Sequence, residues 1–341
     1  MDPSSLITFT SRGIYCRQAD VYIDPWKQVD KAIITHAHAD HARPGNKWYL
    51  AHTDSQKVLK LRLGDIRVES IEYNRPVRIN GVSVSLHPAG HIIGSSQVKL
   101  EYKGRICLIT GDFKLEDDKI ATPFELVKTH TLIMESTFGL PVYRWRAQEH
   151  IFSDINAWWK NNRENGKVSV LCGYALGKAQ RLLYHVDHRI GNIFVHGAVQ
   201  KVNRALDLNG FDFHKFPIVG NGTNKREFEG ALIITPSSAL NTPWIRKFQP
   251  YRTAIASGWM AVRGARRRRA VDRGFVLSDH ADWTGLNKVV SETGANQIYV
   301  THGYSHEFSN WLREMGFKAD PIQTYFEGEL GEINEQSTVE D

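Results

Sequence analysis

The chain has 341 residues, of which 41% are hydrophobic and 23% are charged, so its composition predicts a globular protein with a sizeable core and its length favours two domains. No apolar run approaches the length of a membrane span, and the N-terminus lacks the basic and apolar regions of a secretory signal, which predicts a cytoplasmic protein without a membrane partner. The formal net charge of +6 favours polyanionic partners, of which nucleic acid is the commonest.

Strands are predicted throughout the first part of the chain. Some segments are short apolar runs and others alternate apolar with polar residues, and both patterns are typical of strands. The predicted strands are KAIIT (31–35), GVSVSLHPA (81–89), SQVKLEY (96–102), RICLITGDF (105–113) and THTLIMEST (129–137). A polar side chain just after a buried strand is well placed to reach a site at the edge of the sheet.

The pattern changes near residue 141. Apolar residues recur at helical spacing in AQEHIFSDINAWWKNN, which predicts an amphipathic helix. The strands KVSVLCGY, NIFVHG, ALIITP and TAIASGW then alternate with helices such as GKAQRLLYHVDHR, and this alternation indicates a parallel α/β unit. From Gly274 the chain continues with the strand GFVLSDH, the helix ADWTGLNKVVSETG, the strand QIYVTHG and the helix SHEFSNWLREMGF.

Three histidines and an aspartate follow the strand KAIIT in the pattern HxHxDH: His36, His38, Asp40 and His41. Neutral imidazole and carboxylate are typical ligands of hydrolytic zinc sites, and neighbouring loop residues can diverge to serve two ions. The cysteines form no CxxC pair, so they indicate reduced thiols and no cysteine metal site. A polar loop with accidental histidines is the alternative, and composition alone yields this pattern on the order of once in a thousand such chains.

The motif after a buried strand resembles the metallo-β-lactamase superfamily, and three further positions fit that family's pattern. Asp24 in VYIDPW corresponds to a residue that orients the ligand loop, His91 in AGHIIGSS to a further ligand, and Asp112 in TGDF to an aspartate that bridges two metals. Taken singly, each has another interpretation, because His91 can cap a turn, Asp112 can begin a helix and Asp24 can precede a proline in a turn. Because all three occur together in the order of the family pattern, the metal-site interpretation is favoured over these alternatives.

The later motifs resemble the β-CASP nucleases, in which an acidic motif precedes an inserted domain and two histidine motifs follow it. Here they are Glu135 in IMESTFG, His280 in VLSDHADW and His302 in YVTHG. The resemblance implies an α/β fold, a metallo-β-lactamase αββα sandwich with an inserted α/β β-CASP domain. Its parts would be the metallo-β-lactamase domain at 1–140 and 271–341 and the inserted domain at 141–270.

The resemblance also implies a centre with two divalent metal ions per chain, with zinc expected and manganese as the alternative. One ion would be held by His36, His38 and His91 and the other by Asp40, His41 and His302, with Asp112 shared. The implied catalytic residues are Asp40, Asp112, His280 and Glu135, where His280 supplies a proton to the leaving oxygen and Glu135 orients its ring. Artemis-type DNA enzymes usually have an aliphatic residue at the position of His302, and the histidine here favours a complete second metal site.

Several residues are candidates for contact with phosphate. The segment 263–273 is rich in arginine, the helix at GKAQRLL begins near two cations, and two serines follow the strand ALIITP. The candidates are Lys178, Arg181, Ser237, Ser238, Arg266, Arg267, Arg268 and Arg269. A solvated charge run and simple loop capping are the alternatives.

Two further histidine groups have ligand-like spacing. His185, Asp187 and His188 are predicted to lie on the exposed face of a helix, and His306 follows His302 by one helical turn, where structural packing is favoured.

The whole pattern is most similar to bacterial ligase-associated DNA exonucleases. This implies a metal-dependent DNA exonuclease of repair or end processing that acts on single strands or duplex ends, in functional association with a DNA ligase or helicase. A β-CASP ribonuclease that acts on RNA is the main alternative, followed by a small-molecule metallo-hydrolase and a metal-free nucleic-acid-binding relative. A small substrate needs neither the inserted domain nor the basic charge.

Overall fold

A computed structural model describes residues 6–206, 211–220, 225–262 and 271–322 of the chain. The described residues form two compact units. The first unit contains residues up to 144 and those from 280 onward, and the second contains those between 145 and 279. In the described part of the chain, no helix is both long enough and apolar enough to cross a membrane.

The structure is mixed α/β, with three sheets among the described residues. Their strands are β1 (Ile7–Thr10), β2 (Gly13–Cys16), β3 (Val21–Ile23), β4 (Lys31–Ile33), β5 (Trp48–His52), β6 (Val68–Ile71), β7 (Val77–Ile79), β8 (Val82–Pro88), β9 (Ser96–Tyr102), β10 (Arg105–Ile109), β11 (Thr131–Glu135), β12 (Val168–Cys172), β13 (Ile193–Val195), β14 (Leu232–Thr235), β15 (Tyr251–Ala256), β16 (Arg273–Phe275), β17 (Gln297–Thr301) and β18 (Ala319–Pro321). The helices are α1 (Gln56–Leu63), α2 (Gln148–Glu164), α3 (Lys178–His185), α4 (Gly197–Asn203), α5 (Trp283–Thr293) and α6 (Ser305–Glu314). The predicted strands and helices are thus present.

Two sheets build the first unit. One has the order β1-β2-β3-β4-β5-β6, antiparallel up to β3 and parallel beyond it. The other has the order β18-β17-β11-β10-β9-β8-β7, in which β7 to β10 are antiparallel and β10, β11, β17 and β18 are parallel. A shared apolar core joins Ile33 and Leu50 of the first sheet to Val98 and Leu100 of the second. The two sheets therefore pack against each other.

Helices α5 and α6 cover the other face of the second sheet. Leu132 belongs to the core shared with α5 and α6, whereas its neighbour Ile133 belongs to the core between the sheets, as alternation along a strand requires. Asp282 caps the start of helix α5, where its side chain accepts a hydrogen bond from the backbone of Gly285 at 2.8 Å, and Gly294 follows the end of the helix in the left-handed conformation.

The second unit contains a five-stranded sheet in the order β13-β14-β12-β15-β16, and all of its pairings are parallel. This confirms the parallel α/β unit predicted from the alternation of strands and helices. Helix α2 buries the apolar side chains that recur at helical spacing, among them Ile155 and Trp159.

Helix α3 is shorter than its sequence pattern predicted. It ends at His185 because Val186 adopts an extended conformation, so the expected exposed face with His185, Asp187 and His188 is not formed. His185 stacks on Phe152, and Asp187 pairs with Arg189 in the following turn.

Candidate metal centre

The predicted metal ligands meet in the first unit, where the loops that follow four of its strands come together. His36, His38, Asp40 and His41 follow β4, His91 follows β8, Asp112 follows β10, and His302 follows β17. Their donor atoms form two groups in which all atoms lie within 4.8 Å of one another: His36, His38, His91 and Asp112 in the first, and Asp40, His41 and His302 in the second. We call these groups the first cluster and the second cluster.

Three imidazole nitrogens face one another in the first cluster. Nδ1 of His38 lies 3.1 Å from Nε2 of His36 and 3.1 Å from Nε2 of His91. Oδ2 of Asp112 lies 3.6 Å from Nε2 of His36. Nitrogens bound to one tetrahedral zinc ion at about 2.0–2.1 Å are about 3.3 Å apart, so this spacing fits a divalent ion.

The second cluster adjoins the first through Asp112. Nε2 of His41 lies 3.5 Å from an oxygen of Asp40 and 3.5 Å from Oδ2 of Asp112, and Nε2 of His302 lies 3.9 Å from Asp40. The other oxygen of Asp112, Oδ1, is buried and has no hydrogen-bond partner among the described residues. A buried carboxylate oxygen without a donor is costly, and a cation beside it would offset that cost.

The charge states in the two clusters differ from residue to residue. Burial lowers the pKa of His36 well below its usual value and also lowers that of His302. Burial acts in the same direction on His41, but neighbouring carboxylates, Asp40 and Asp112 first, outweigh it and raise the pKa of His41 well above its usual value. Burial opposes ionisation of Asp112, yet the charge on His41 and other histidines holds its pKa well below the usual range. Low pKa values keep His36, His302 and Asp112 in the forms that bind divalent metals, whereas the His41 ring must lose a proton before it can bind one.

Asp24 and Thr35 orient two of the ligand histidines. Asp24 accepts hydrogen bonds from the backbone and hydroxyl of Thr35 at 2.8 and 2.6 Å and from Nδ1 of His41 at 2.7 Å. Because the carboxylate can only accept, the hydroxyl hydrogen of Thr35 is directed to Asp24, and its oxygen accepts Nδ1–H of His36 at 3.1 Å. Both rings therefore present Nε2 to the clusters. The sequence interpretation included Asp24 but missed Thr35, which could have been suspected because it directly precedes His36.

Glu135 and His280 form a buried pair next to Asp112. Nδ1 of His280 lies 3.0 and 2.9 Å from the two oxygens of Glu135 and 4.0 Å from Oδ2 of Asp112. The backbone amides of Phe113 and Thr137 donate to the same carboxylate at 2.8 and 3.3 Å. The carboxylate is thereby held in place and fixes the orientation of the imidazole.

The placement of Lys178 and Arg181 corrects their predicted role in phosphate binding. Both side chains are fully buried within the second unit. Lys178 Nζ lies 2.8 Å from Asp279, and Arg181 lies 3.0 Å from Asp279 and donates to the side chain of Gln148 at 3.2 and 2.9 Å. Both cations are directed to buried partners of the second unit, and neither side chain is exposed to a phosphate.

The remaining candidates are scattered. Ser237 and Ser238 are half-buried and follow β14 in the second unit. His306 is exposed in the first turn of α6. Arg266, Arg267, Arg268 and Arg269 lie outside the described residues.

The chain is similar to several curated proteins, although no protein-family model matches it. It is 31% identical over 329 residues to a protein named Probable DNA ligase from Opitutus terrae, a match that covers 94% of this chain and 31% of that protein. It is 27% identical over 205 residues to Cleavage and polyadenylation specificity factor subunit 3-I from Arabidopsis thaliana, covering 50% of this chain and 29% of the relative. It is 30% identical over 203 residues to Endoribonuclease YSH1 from Mycosarcoma maydis, a match that covers 48% of this chain and 22% of that protein. The chain thus spans less than a third of the length of these relatives.

A solved structure supports the fold. It is described as a protein of unknown function from Enterococcus faecalis V583 and aligns with a TM-score of 0.60 at 12% sequence identity, over 86% of this chain and 79% of that one. At that identity the likeness concerns the fold alone. The ligand motifs occur in the order of the resembled family and converge in one unit. The names of two curated relatives, a cleavage factor and an endoribonuclease, agree with that resemblance. The curated relatives are consistent with the β-CASP branch of the metallo-β-lactamase superfamily, which the order of the motifs also resembles.

Proposed function

We propose that this chain is a metal-dependent phosphodiesterase that cleaves nucleic acid, and that its specific activity is that of a DNA exonuclease. The observation that carries the proposal is that His280, buried and paired with Glu135, lies 4.0 Å from Asp112, where the two ligand clusters meet. We further propose that the first unit is the αββα sandwich of the superfamily and that the second unit, residues 145–279, is the inserted domain that the sequence predicted at 141–270.

The two clusters would hold two divalent ions, with zinc expected and manganese as the alternative. When bound, such a pair activates water and stabilises the charge that develops on a phosphodiester. His36, His38 and His91 would bind one ion, Asp40, His41 and His302 the other, and Asp112 both. Asp40 and Asp112 would also offset part of the positive charge of the two ions.

We assign the delivery of a proton to the leaving oxygen to a side chain of the protein, His280. The leaving oxygen needs a proton, and His280 in its protonated form donates one from Nε2 because Nδ1–H is held by Glu135. The Glu135 carboxylate stabilises the imidazolium before donation and keeps its ring in place. Neither residue needs to form a covalent bond to the substrate.

DNA is the substrate that we propose, with RNA as the second candidate. The net charge of +6 fits either polyanion. The relative that matches 94% of the chain is named Probable DNA ligase, which supports DNA as the substrate and a functional association with a ligase, and a helicase remains the alternative partner. Two relatives that match about half of the chain carry the names of a cleavage and polyadenylation factor and an endoribonuclease, which keeps RNA as the alternative.

A direct assay separates these substrates. End-labelled single-stranded DNA, duplex DNA and RNA, each with and without a 5′-phosphate, are incubated with the protein in zinc or manganese, beside the Asp112→Asn variant as a control for contaminants. We expect DNA to shorten stepwise from one end with the parent and no change with Asp112→Asn. Cleavage of RNA only would indicate the ribonuclease, and internal cuts would indicate an endonuclease. No cleavage of any nucleic acid would contradict the proposal.

We also propose that the arginine run contacts the phosphates of the substrate. Phosphate contacts release counterions, so changing Arg266, Arg267 and Arg268 together to Ala should flatten the plot of log affinity against log salt by about one unit for each phosphate that the variant no longer neutralises. The matched control removes three exposed cations of the first unit, Lys47, Lys60 and Arg67, by the same change to Ala. Equal salt slopes for both triple variants and the parent would show that the run is not part of the DNA path.

A further inference from the structure

The turn that carries His302 has an unusual backbone. His302 has a φ of 55°, in the left-handed region that residues other than glycine seldom adopt. Gly303 follows with a φ of 60°, and a Cβ there would lie 2.4 Å from Cα of Thr137. Such conformations cost free energy and persist where surrounding contacts hold them. The contacts that hold this turn therefore determine where the His302 ring lies.

Ser136, at the end of β11, provides most of these contacts. Its backbone amide donates to the carbonyl of Thr301 at 2.9 Å, and its hydroxyl donates to the carbonyl of His302 at 2.6 Å. Its own carbonyl accepts the backbone amide of Tyr304 at 3.1 Å. Ser136 is fully buried, so water does not compete for these hydrogen bonds.

Thr301 determines which ring nitrogen of His302 carries hydrogen. Its hydroxyl lies 3.1 Å from the carbonyl of Met134 and 2.9 Å from Nδ1 of His302. A carbonyl can only accept, so the single hydroxyl hydrogen is directed to Met134 and the hydroxyl oxygen accepts Nδ1–H of His302. This is the arrangement that Thr35 makes between Asp24 and His36. The unprotonated nitrogen of His302 is then Nε2, which lies 3.9 Å from Asp40.

We propose that Thr301 and Ser136 are positioning residues for His302. Thr301 fixes the ring tautomer, Ser136 holds the strained turn, and together they present Nε2 of His302 to the second cluster. The inference rests on the proposed function, because it concerns one of the two metal ions of that centre. It predicts that loss of either hydroxyl lowers the affinity of the second cluster for its ion and leaves the affinity of the first cluster unchanged.

The experiment uses three variants of the full chain. Thr301→Val removes the hydroxyl at constant shape, Thr301→Ser retains it, and Thr293→Val removes a buried hydroxyl that bonds the carbonyl of Val290 in helix α5. Zinc affinity and stoichiometry are measured by competition with a chelator. The tautomer of His302 is measured on metal-free protein from the NMR spectrum of the ring nitrogens. The signals of His302 are identified as those that disappear in the His302→Gln variant.

We expect Thr301→Val to bind one of its two zinc ions about 10–100-fold more weakly, the range typical for loss of a residue that orients a metal ligand. Its His302 ring should show both tautomers, whereas the parent shows Nδ1–H alone. Thr301→Ser and Thr293→Val should match the parent in both measurements. If Thr301→Val does not fold, Ser136→Ala should lower the zinc affinity of the same cluster.

Two results would overturn the inference. If the parent binds two zinc ions and Thr301→Val binds both equally well with an unchanged ring spectrum, the positioning role is wrong while the proposed function stands. If the parent binds fewer than two zinc ions, the two-metal centre is wrong and the positioning role falls with it.

Discussion

Both carboxylate oxygens of Glu135 lie within 3.0 Å of Nδ1 of His280, although 145 residues separate the two in the sequence. Glu135 ends strand β11, and its carboxylate also accepts the backbone amide of Phe113, one residue after Asp112. One side chain thus joins the loop of the shared aspartate to the candidate acid. We therefore expect substitutions at His280 to separate proton delivery from metal binding.

We expect His280→Ala to retain both metal ions and to bind DNA, yet to lose about two to four orders of magnitude in turnover, because only the proton donor is removed. Metal content by elemental analysis, DNA affinity and turnover are measured side by side. A substrate with a better leaving group should recover part of the loss, since it needs less help from an acid. Loss of metal in His280→Ala would show instead that His280 is a ligand.

Two metal equivalents are expected for protein purified without chelator, because the ligand atoms form two clusters around Asp112. His302→Ala should lose chiefly one equivalent, since it removes a donor of the second cluster only. Elemental analysis of both proteins is the measurement, with His306→Ala as the control because His306 is exposed on α6. If the parent protein is fully active with at most one bound metal ion, the two-metal centre is contradicted.

Metal binding should release protons at neutral pH. The raised pKa of His41 keeps its ring protonated in metal-free protein, whereas a metal binds only the neutral form, so we expect about one proton to be released as the second cluster fills. His36, whose pKa is lowered, is already neutral and should release none. Apparent affinity for the second ion should therefore fall as the pH falls. Calorimetric titrations in buffers with different ionisation enthalpies count the protons, and zero release would contradict the assignment.

Arg181→Met should destabilise the protein by about 1–3 kcal/mol, because Asp279 keeps Lys178 as its partner while the buried oxygens of Gln148 and Ser278 lose a donor. DNA affinity should keep the salt dependence of the parent. The control is Arg189→Ala, which should leave the free energy of unfolding close to that of the parent, since Arg189 pairs with Asp187 on the surface and water screens such pairs. Denaturant unfolding measures the difference. A stable Arg181→Met variant with a flatter salt slope would restore the phosphate role that the burial of Arg181 contradicts.

Local patterns carried most of what could be predicted from the sequence. The HxHxDH motif spans six residues shortly after β4, so the proximity of its side chains follows from chain connectivity. The strands and helices also followed from short-range periodicity. Which histidine belongs to which cluster could be expected only through family resemblance, because it depends on how β4, β8, β10 and β17 converge.

Long-range partners explain what the sequence interpretation missed. Lys178 and Arg181 look like exposed cations at a helix start, and their partner Asp279 lies about a hundred residues further along the chain. The role of Thr301 depends on the carbonyl of Met134, at a sequence separation of 167. No local pattern indicates such contacts, since a hydroxyl beside a histidine has the same sequence appearance whether or not a distant carbonyl accepts its hydrogen.

The pairing of β11 with β17 has a consequence for synthesis. The two strands are neighbours in one sheet, but the entire second unit is translated between them. A nascent chain that has already exposed His36, His38, His91 and Asp112 still lacks both His280 and His302. The centre cannot be completed until the second unit and β17 have left the ribosome. Translation order itself thus delays the appearance of the complete set of candidate ligands and of His280.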